Sequence, residues 1–428
     1  MIETFLPHDR VARSLTLSTM AFALSSGVFY TVSALYFTRV IGLDATTVGL
    51  GLGIAGGVGV LASYGAGWLS DRVGAHRVQP WAVGVNGLAM LAYTLAGNAL
   101  VFTLVACVAV AMRSATGTSK QAMLARWYTG PERVAVRARM RVVTNVFIGL
   151  GTVVAAAALL VDTAAAYQAA MLSVGVLLLV ATVPLVRLPR AVPALADAMV
   201  ETPVEEVSQR DAPVERGPSP WHDRTYVASV VCNGVVALHF GLQTVGVPLW
   251  IATTEAPTAM VSVLLVLNTV VVAGLQVRAS RGTHDVRRAG VAVRRGSWLL
   301  AGACVAYALA GYGDVVTACL LLVLAAVVHA LGEILGEAGG WGMAFELADP
   351  RRAGAYQGLT QTGYAVAAML SPVLVTATAI QHGTVGWVVL GALFATAGTA
   401  AAWVARRAAA RRTGASDELS VSAGTLTA

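Results

Sequence analysis

Three ionisable side chains recur at four-residue intervals in the stretch HALGEILGEAGGWG, residues 329–342: His329, Glu333 and Glu337. Steps of four on an α-helix drift by only about 40° each, so the three side chains share one stripe. The residues before them, DVVTACLLLVLAAVV, are apolar enough to belong to a membrane span. Ionisable groups inside such a span are the groups that proton relays use.

Burial predicts proton chemistry for this stripe. An apolar environment disfavours the charged carboxylate, and two neighbouring carboxylates disfavour double ionisation. We therefore expect one glutamate to exchange protons near neutral pH, with Glu333 the first candidate and Glu337 nearer the helix end. His329 would relay protons or pair with Glu333. The alternative is structural: Glu337 is solvated, and Glu333 pairs with Arg113 or with a backbone donor.

The elements that must position these residues are membrane helices. The chain has 428 residues, of which 57% are hydrophobic and 12% charged, whereas a soluble domain carries about 25% charged residues. Apolar runs of about 20 residues recur along the whole length, and the first is too long for a signal peptide. The sequence predicts an all-α polytopic membrane protein with twelve transmembrane helices.

The predicted helices fall into two sets of six. We predict two pseudo-symmetric six-helix bundles, a flexible linker rich in Pro, Glu, Asp and Arg, and a disordered tail. The predicted domains are an N-terminal bundle at 1–187, a cytoplasmic linker at 188–225, a C-terminal bundle at 226–405 and a cytoplasmic tail at 406–428. Such repeats are common in secondary transporters, which bind substrate near the membrane midplane between them.

Charge sets the predicted orientation. If the N-terminus is cytoplasmic, nearly all of the 29 Lys and Arg residues fall on the inner side, as the positive-inside rule requires. Both termini are then cytoplasmic, and the composition points to a bacterial inner membrane. The pI of 9.5 therefore reflects topology and does not indicate a nucleic-acid partner.

The loop between the second and third predicted spans, GWLSDRVGAHR, identifies a family by resemblance. It resembles the G-x-L-x-D-R-x-G-R-[RK] signature of the major facilitator superfamily, from which Ala75 and His76 depart. The matching residues are Gly67, Asp71, Arg72, Gly74 and Arg77. The resemblance implies that these residues form a conformational latch of the outward-open state. The alternative is a basic turn that only fixes topology.

Physical chemistry gives three of these residues specific roles. Asp71 is suited to cap a neighbouring helix N-terminus or to pair with an arginine. Gly67 allows close helix approach, and Gly74 allows a tight turn. The corresponding loop of the second half, RASRGTHDVRRAG, keeps Asp285 but not the spacing, so we do not expect a second latch there.

Arg113 lies within an apolar run, in VAMRSATG. An arginine at mid-bilayer costs about 2.5–3.5 kcal/mol, so it is expected to face a cavity or a partner; the alternative is a side chain that extends to the inner surface. Arg113 followed by Gly117 resembles the fourth-helix motif of proton-driven exporters in the superfamily, which implies a role in proton coupling. The fifth span has Gly149 and Gly151 but lacks the G-x-x-x-G-P of those exporters.

Other chemistries have little support. The segment GLGIAG, residues 51–56, matches G-x-G-x-x-G but lies in an apolar helix without a βαβ unit. GK[ST], HExxH and GxSxG are absent, and the four cysteines form no CxxC pair. We therefore expect no enzyme, no metal centre and no cofactor, with the proton gradient as the energy source.

Scattered polar and aromatic residues of the spans are candidates for a substrate cavity. As a set they predict an amphipathic pocket without a dense charged cluster, which suits a small lipophilic, or cationic lipophilic, molecule. They are Tyr30, Tyr36, Asn145, Asn233, His239, Gln243, Asn268, Trp341, Gln361 and Tyr364.

The first functional hypothesis is a monomeric exporter of a lipophilic drug or secondary metabolite, driven by proton antiport through alternating access. Such a protein would contribute to multidrug efflux and antibiotic resistance. The second hypothesis is proton-coupled uptake of a small metabolite, favoured by the missing fifth-span motif. A membrane sensor that transports nothing is the third.

Overall fold

A computed structural model describes residues 7–199 and 217–425, and within these ranges every regular element is helical. The first part of the chain forms α1 (Arg10–Leu35), α2 (Ala45–Val73), α3 (Ala75–Ala92), α4 (Ala99–Trp127), α5 (Gly130–Val161), α6 (Ala164–Ala191) and the short α7 (Ala194–Met199). The second part forms α8 (Arg224–Ala237), α9 (His239–Gly241), α10 (Val247–Ile251), α11 (Met260–Ala279), α12 (Val286–Ala310), α13 (Val315–Glu346), α14 (Ala353–Val375) and α15 (Gln381–Thr425). Each predicted span lies on this series, with α8, α9 and α10 together forming the seventh, so the all-α prediction is confirmed.

Short polar residues fix where many of these helices begin. At seven α-helices the N-cap side chain accepts a hydrogen bond from a backbone N–H of the first turn, which satisfies a donor that the helix leaves free. These N-caps are Asp9, Asn98, Asp44, Thr163, Asp223, Asp285 and Asp314. The hydrogen bonds from Thr317, first from its side chain and then from its backbone, hold the pKa of Asp314 below its usual range.

Nine stretches of the described chain are long and apolar enough to cross a membrane. The last of them, Pro350–Arg411, contains both the eleventh and the twelfth predicted spans. The third and ninth spans are not among the nine. α3 is short and begins AHR, and α12 carries four arginines in VRRAGVAVRR. These polar residues lower the mean hydropathy of the two helices.

The helices divide into two compact units. Unit 1 comprises Met1–Ser219 together with Asp349–Met369. In it α1 packs on α5 and α6, while α4 packs on α2 and α3. Its core holds a group of aromatic rings, in which Phe37 lies 5.0 Å from Tyr93 and 4.8 Å from Phe102, centroid to centroid.

Unit 2 comprises Pro220–Ala348 and Leu370–Ala428. Here α12 lies between α13 and α15, and α11 packs on α13. The indole Nε1–H of Trp250 donates to the carbonyl of Tyr307 over 2.7 Å, and the Tyr307 and Trp387 rings are 5.2 Å apart. These buried aromatic contacts fix the end of the seventh span against α12.

The structure departs from the predicted domain boundaries at three places. The segment predicted as the start of a flexible linker is helical, since α6 continues to Ala191 and α7 follows. Within the predicted tail, 406–428, α15 continues to Thr425, because ARRAAARR is rich in strong helix formers, and residues 426–428 lie outside the described part of the chain. Residues 349–369 group with unit 1, for which the contacts of Asp71 give a reason below.

Candidate functional site

Asp71, in the last turn of α2, makes three strong contacts within unit 1. Its two carboxylate oxygens accept hydrogen bonds from the backbone N–H groups of Gly354 and Ala355, both over 2.7 Å. A third contact joins the carboxylate to Arg126 Nη2 at 2.8 Å. Asp71 therefore caps the N-terminus of α14 and pairs with an arginine, so both contacts that its chemistry allows are present.

Gly67 brings α2 and α14 together one turn before Asp71. A Cβ atom at Gly67 would lie 2.2 Å from the carbonyl oxygen of Gly354 and 2.8 Å from the Cα of Gly358. Backbone atoms cannot move aside as a flexible side chain does, so a residue other than glycine at position 67 would separate the two helices. This close approach allows the Asp71 carboxylate to reach the first N–H groups of α14.

The other residues of the loop signature shape the turn from α2 to α3. Gly74 has a φ of +90°, a backbone conformation that favours glycine, and a Cβ there would also lie 2.6 Å from the imidazole of His76. The Arg72 guanidinium stacks over the ring of Trp68, 3.7 Å from its centroid. Arg77 is exposed.

The corresponding loop of unit 2 is built differently. Asp285 accepts a hydrogen bond from the backbone N–H of Arg288 over 2.7 Å, and thereby caps its own helix, α12. No second latch was predicted here, and in the structure Asp285 acts as a local cap.

Arg113 lies midway along α4 and points at α1. Its guanidinium donates to the hydroxyl of Tyr30 and, over 3.4 Å, to that of Ser26. The same group lies 5.5 Å from the ring centroid of Phe22 and 5.1 Å from that of Tyr30. Among the described residues, the partners of Arg113 are all uncharged, so hydroxyls and aromatic faces hold its charge in unit 1.

Glu333 lies in a buried polar cluster of unit 2. Its side chain is 2% exposed, and its Oε2 accepts a hydrogen bond from the Asn268 amide over 3.0 Å. One turn earlier on α13, His329 is 1% exposed, and its Nε2 lies 3.2 Å from Nδ1 of His239. Three helices thus bring two imidazoles, one amide and one carboxylate together. The Asn268 amide is a hydrogen-bond donor to Glu333 that was not predicted from the sequence.

An irregular helix positions His239. The seventh span is interrupted at Leu238, and a π-helical turn, Leu242–Gly246, follows His239. Pro248 lacks an N–H and would clash with the carbonyl four residues earlier, so regular α-helical bonding cannot continue through this turn. The imidazole of His239 rests on the ring of Phe240, with 4.1 Å between centroids.

Glu337 completes the stripe on α13. It is 5% exposed, and nine further residues of the helix follow it. The alternative interpretation, in which Glu337 is solvated at a helix end, is therefore wrong. GGWGMAF continues α13 beyond Glu337 as a glycine-rich segment whose residues are all buried.

The candidate cavity residues separate into three groups. In unit 2, the candidates Gln243 and Asn268 line one small cavity with His329 and Tyr307, and the candidate His239 lies against His329. Others serve packing or their own helix: Tyr36 is buried among aromatic rings, Asn233 donates to Ser229 of α8, and Trp341 is buried. In unit 1, Tyr30 holds Arg113, Gln361 lies beside Gly117, and Asn145 and Tyr364 are half-buried.

Sequence reasoning missed several partners of these residues. Arg126 holds Asp71, Ser26 and Phe22 hold Arg113, and Tyr307 lines the unit 2 cavity. Of these residues, only Arg126 could have been singled out from the sequence, since its charge lies at the end of an apolar run. The others are ordinary span residues whose role depends on which helices pack together.

His239, His329 and Glu333 are also the residues that could hold a metal ion. Each offers one ligand atom, and the three atoms lie within 4.8 Å of one another. No metal-ligand spacing is visible in the sequence because His239 lies 90 positions before His329, and only the packing of the seventh span on α13 brings the two imidazoles together.

A comparison with protein families matches the chain to the Major Facilitator Superfamily over residues 15–372. No curated protein matches the chain. Solved structures share its fold at low identity. A bacterial homologue of the iron transporter ferroportin in an outward-facing state has a TM-score of 0.69 at 14% identity and covers 93% of this chain and 99% of its own.

Two further structures show the same fold. The human organic anion transporter MFSD10 (TETRAN) has a TM-score of 0.64 at 14% identity, and the match covers 92% of this chain and 99% of that one. The proton:xylose symporter XylE has a TM-score of 0.63 at 13% identity, with 91% of this chain and 94% of that one covered. Identities this low show the fold alone.

Proposed function

This chain belongs to the major facilitator superfamily, and we propose that it is a proton-coupled exporter of a small lipophilic drug or secondary metabolite. It is a multi-pass membrane transporter and not an enzyme. We place it in a bacterial inner membrane with both termini in the cytoplasm, as the distribution of Lys and Arg predicts. We further propose that it works as a monomer and needs no cofactor besides the proton gradient.

The buried carboxylate of Glu333 carries this proposal. A carboxylate that is 2% exposed in a membrane helix is costly to place and marks ion pathways in transport proteins. The Asn268 amide holds one of its oxygens, and His329 lies one turn away on the same stripe. Glu333 would bind the coupling proton, and His329 and Glu337 would pass protons to and from it.

Arg113 would be the counterpart of Glu333 in unit 1. The Arg113 guanidinium donates to the hydroxyls of Ser26 and Tyr30. Because these partners are neutral, the charge of Arg113 would still respond to a change in the protonation of Glu333. The lipophilic substrate would meet the polar and aromatic residues that the sequence analysis named.

The Asp71 contacts would control the conformational cycle. The carboxylate ties the end of α2 to the first turn of α14 through Gly354 and Ala355. We propose that these contacts latch the outward-open state and break when the carrier turns inward. Proton entry from outside to Glu333 and proton release inside would then reset the carrier after each export step.

The test is transport in proteoliposomes with an imposed proton gradient. Glu333→Gln should abolish gradient-driven accumulation of a lipophilic cationic dye, while exchange of dye without a gradient continues, because the neutral amide mimics a permanently protonated site. Glu255→Gln, at an exposed glutamate of a predicted outer loop, is the matched control and should transport like the unmodified chain. Gradient-driven accumulation that survives Glu333→Gln would remove Glu333 from the coupling role.

Proton-coupled uptake is the second candidate. The fifth span lacks G-x-x-x-G-P, which favours this candidate, and one structural neighbour is a proton:xylose symporter. The same proteoliposomes separate the two directions: an exporter moves dye against the proton flux, and a symporter moves substrate with it.

A further inference from the structure

We propose that His239, His329 and Glu333 form a binding site for a first-row divalent transition-metal ion. The three side chains come from the seventh span and α13, and their candidate ligand atoms lie within 4.8 Å of one another. All three are buried. The inference stands on this geometry alone and holds whatever compound the protein transports.

The ligand set selects the class of ion. Two imidazoles and one carboxylate suit Zn²⁺, Co²⁺ and Fe²⁺, whereas Mg²⁺ and Ca²⁺ prefer sets made of oxygen atoms alone. Three protein ligands leave coordination positions open, which is typical of sites that exchange their ion or bind a further group.

The distance between the two imidazoles fits such a site. Nδ1 of His239 lies 3.2 Å from Nε2 of His329. Two nitrogens at about 2.0–2.1 Å from one metal are about 2.9 Å apart at a right angle and about 3.3 Å apart at the tetrahedral angle. The distance between these two nitrogens therefore fits both a hydrogen bond between the rings and coordination of both nitrogens to one metal ion.

The carboxylate needs only a small adjustment. The ligand atoms all lie within 4.8 Å of one another, so no separation exceeds the nitrogen–nitrogen distance expected around one metal by more than about 1.5 Å, a shift that side-chain torsions of Glu333 provide. The Asn268 amide donates to Oε2 of Glu333 over 3.0 Å, and metal-binding carboxylates are commonly held by such an outer hydrogen bond.

Space for a further ligand lies beside the cluster. A cavity of about 20 Å³ is lined by His329, Asn268, Gln243 and Tyr307, among others. That volume holds about one water molecule, and the polar groups on its wall supply the hydrogen bonds that a bound water requires.

The surrounding backbone holds the ligands in place. A Cβ on Gly296 of α12 would lie 2.6 Å from the carbonyl oxygen of Gly332. The backbones of α12 and α13 are therefore in close contact at Gly332, between His329 and Glu333 in the sequence. On the other side, the π-helical turn Leu242–Gly246 follows His239, and such turns often occur at functional sites. Because the backbone is fixed on both sides, less conformational entropy is lost when the three ligands come together around an ion.

The experiment measures binding directly. The full chain, purified in detergent with every affinity tag removed, is titrated with Co²⁺, and the visible d–d absorption of Co²⁺ in a four- or five-coordinate site is recorded. We expect one Co²⁺ per chain, displaced by Zn²⁺. Because the readout is binding, failure of proton coupling would leave this result unchanged, and failure of binding would leave proton coupling unchanged.

Variants locate the ion. His239→Ala, His329→Ala and Glu333→Gln should each lower Co²⁺ affinity by at least about 100-fold, and Asn268→Ala by about 10-fold through loss of the outer hydrogen bond. His382→Ala removes an exposed imidazole outside the cluster and should leave binding unchanged. Elution as a single species and an unchanged helical circular dichroism spectrum identify variants that are folded.

Two results would overturn the proposal. One is a wild-type chain that takes up no stoichiometric Co²⁺. The other is binding that persists in the folded His239→Ala and His329→Ala chains, which would show that the two imidazoles share only a hydrogen bond.

Discussion

Asp71, in the last turn of α2, and Asp285, in the loop after α11, lie in corresponding parts of the two halves, but their carboxylates bind partners at very different sequence separations. Asp71 accepts from Gly354 and Ala355, which lie 283 and 284 positions away in the sequence. Asp285 accepts from Arg288, three positions away. The difference teaches that two similar loops in the two halves of this chain need not play the same role, because one ties distant segments together and the other starts a helix.

The two aspartates also differ in their exposure to solvent. The Asp71 side chain is 12% exposed and its partner Arg126 is 8% exposed, whereas Asp285 is exposed. A largely buried charge pair is costly to break, because the remaining partner keeps an uncompensated charge. A surface cap contributes far less, because water replaces it.

The largest effect is expected from Asp71→Asn. The amide cannot satisfy both N–H groups of α14 and Arg126 together, and we expect a loss of about 2–3 kcal/mol, or roughly 30- to 150-fold in the equilibrium that the contact controls. Transport rates in proteoliposomes, normalised to the amount of reconstituted protein, should fall by at least about tenfold, since a carrier must reach both states in each cycle.

A double-mutant cycle with Arg126→Gln is the control for this prediction. If Asp71 and Arg126 act as one unit, the double variant should be little worse than Asp71→Asn alone. Fully additive losses would show that the two residues act independently and would weaken the comparison with Asp285.

Gly67→Ala is expected to have a smaller effect. Its Cβ would lie 2.2 Å from the carbonyl oxygen of Gly354, so α2 and α14 must separate, at a cost of about 1–3 kcal/mol for an overpacked contact. Thermal unfolding in detergent and the transport rate report this loss. The matched control is Gly65→Ala on the same helix, where a Cβ has no heavy atom within 4 Å and should be neutral or slightly stabilising. Equal behaviour of the two variants would contradict the helix contact.

Much of the fold was predictable from the sequence, since apolar runs and charge asymmetry depend only on local composition. The chemistry of Asp71 was predictable too, because a carboxylate at the end of a membrane helix has few possible partners. Its actual partners were not, as Gly354 and Ala355 are ordinary residues until α14 packs against α2.

The polar cluster shows the same limit. The stripe of His329 and Glu333 follows from helical periodicity, which is a local property. His239 and Asn268 were named singly as cavity candidates, but nothing in the sequence joined them to Glu333. Local spacing cannot reveal a cluster whose residues come from separate helices, so the candidate metal ligands on the seventh span and α13 emerged only from the structure.

The smallest effect is expected from Asp285→Ala, which completes the comparison. It removes the cap of α12, and because the site is exposed, the loss should be a fraction of the roughly 1 kcal/mol that an N-cap substitution typically costs. The midpoint of thermal unfolding should fall slightly, while the transport rate stays within about twofold of the unmodified chain. Asp285→Asn, which keeps a good N-cap, should restore the midpoint. A transport loss as large as that of Asp71→Asn would mean that the second loop also takes part in the conformational cycle, and that the local contact to Arg288 is only one of its states.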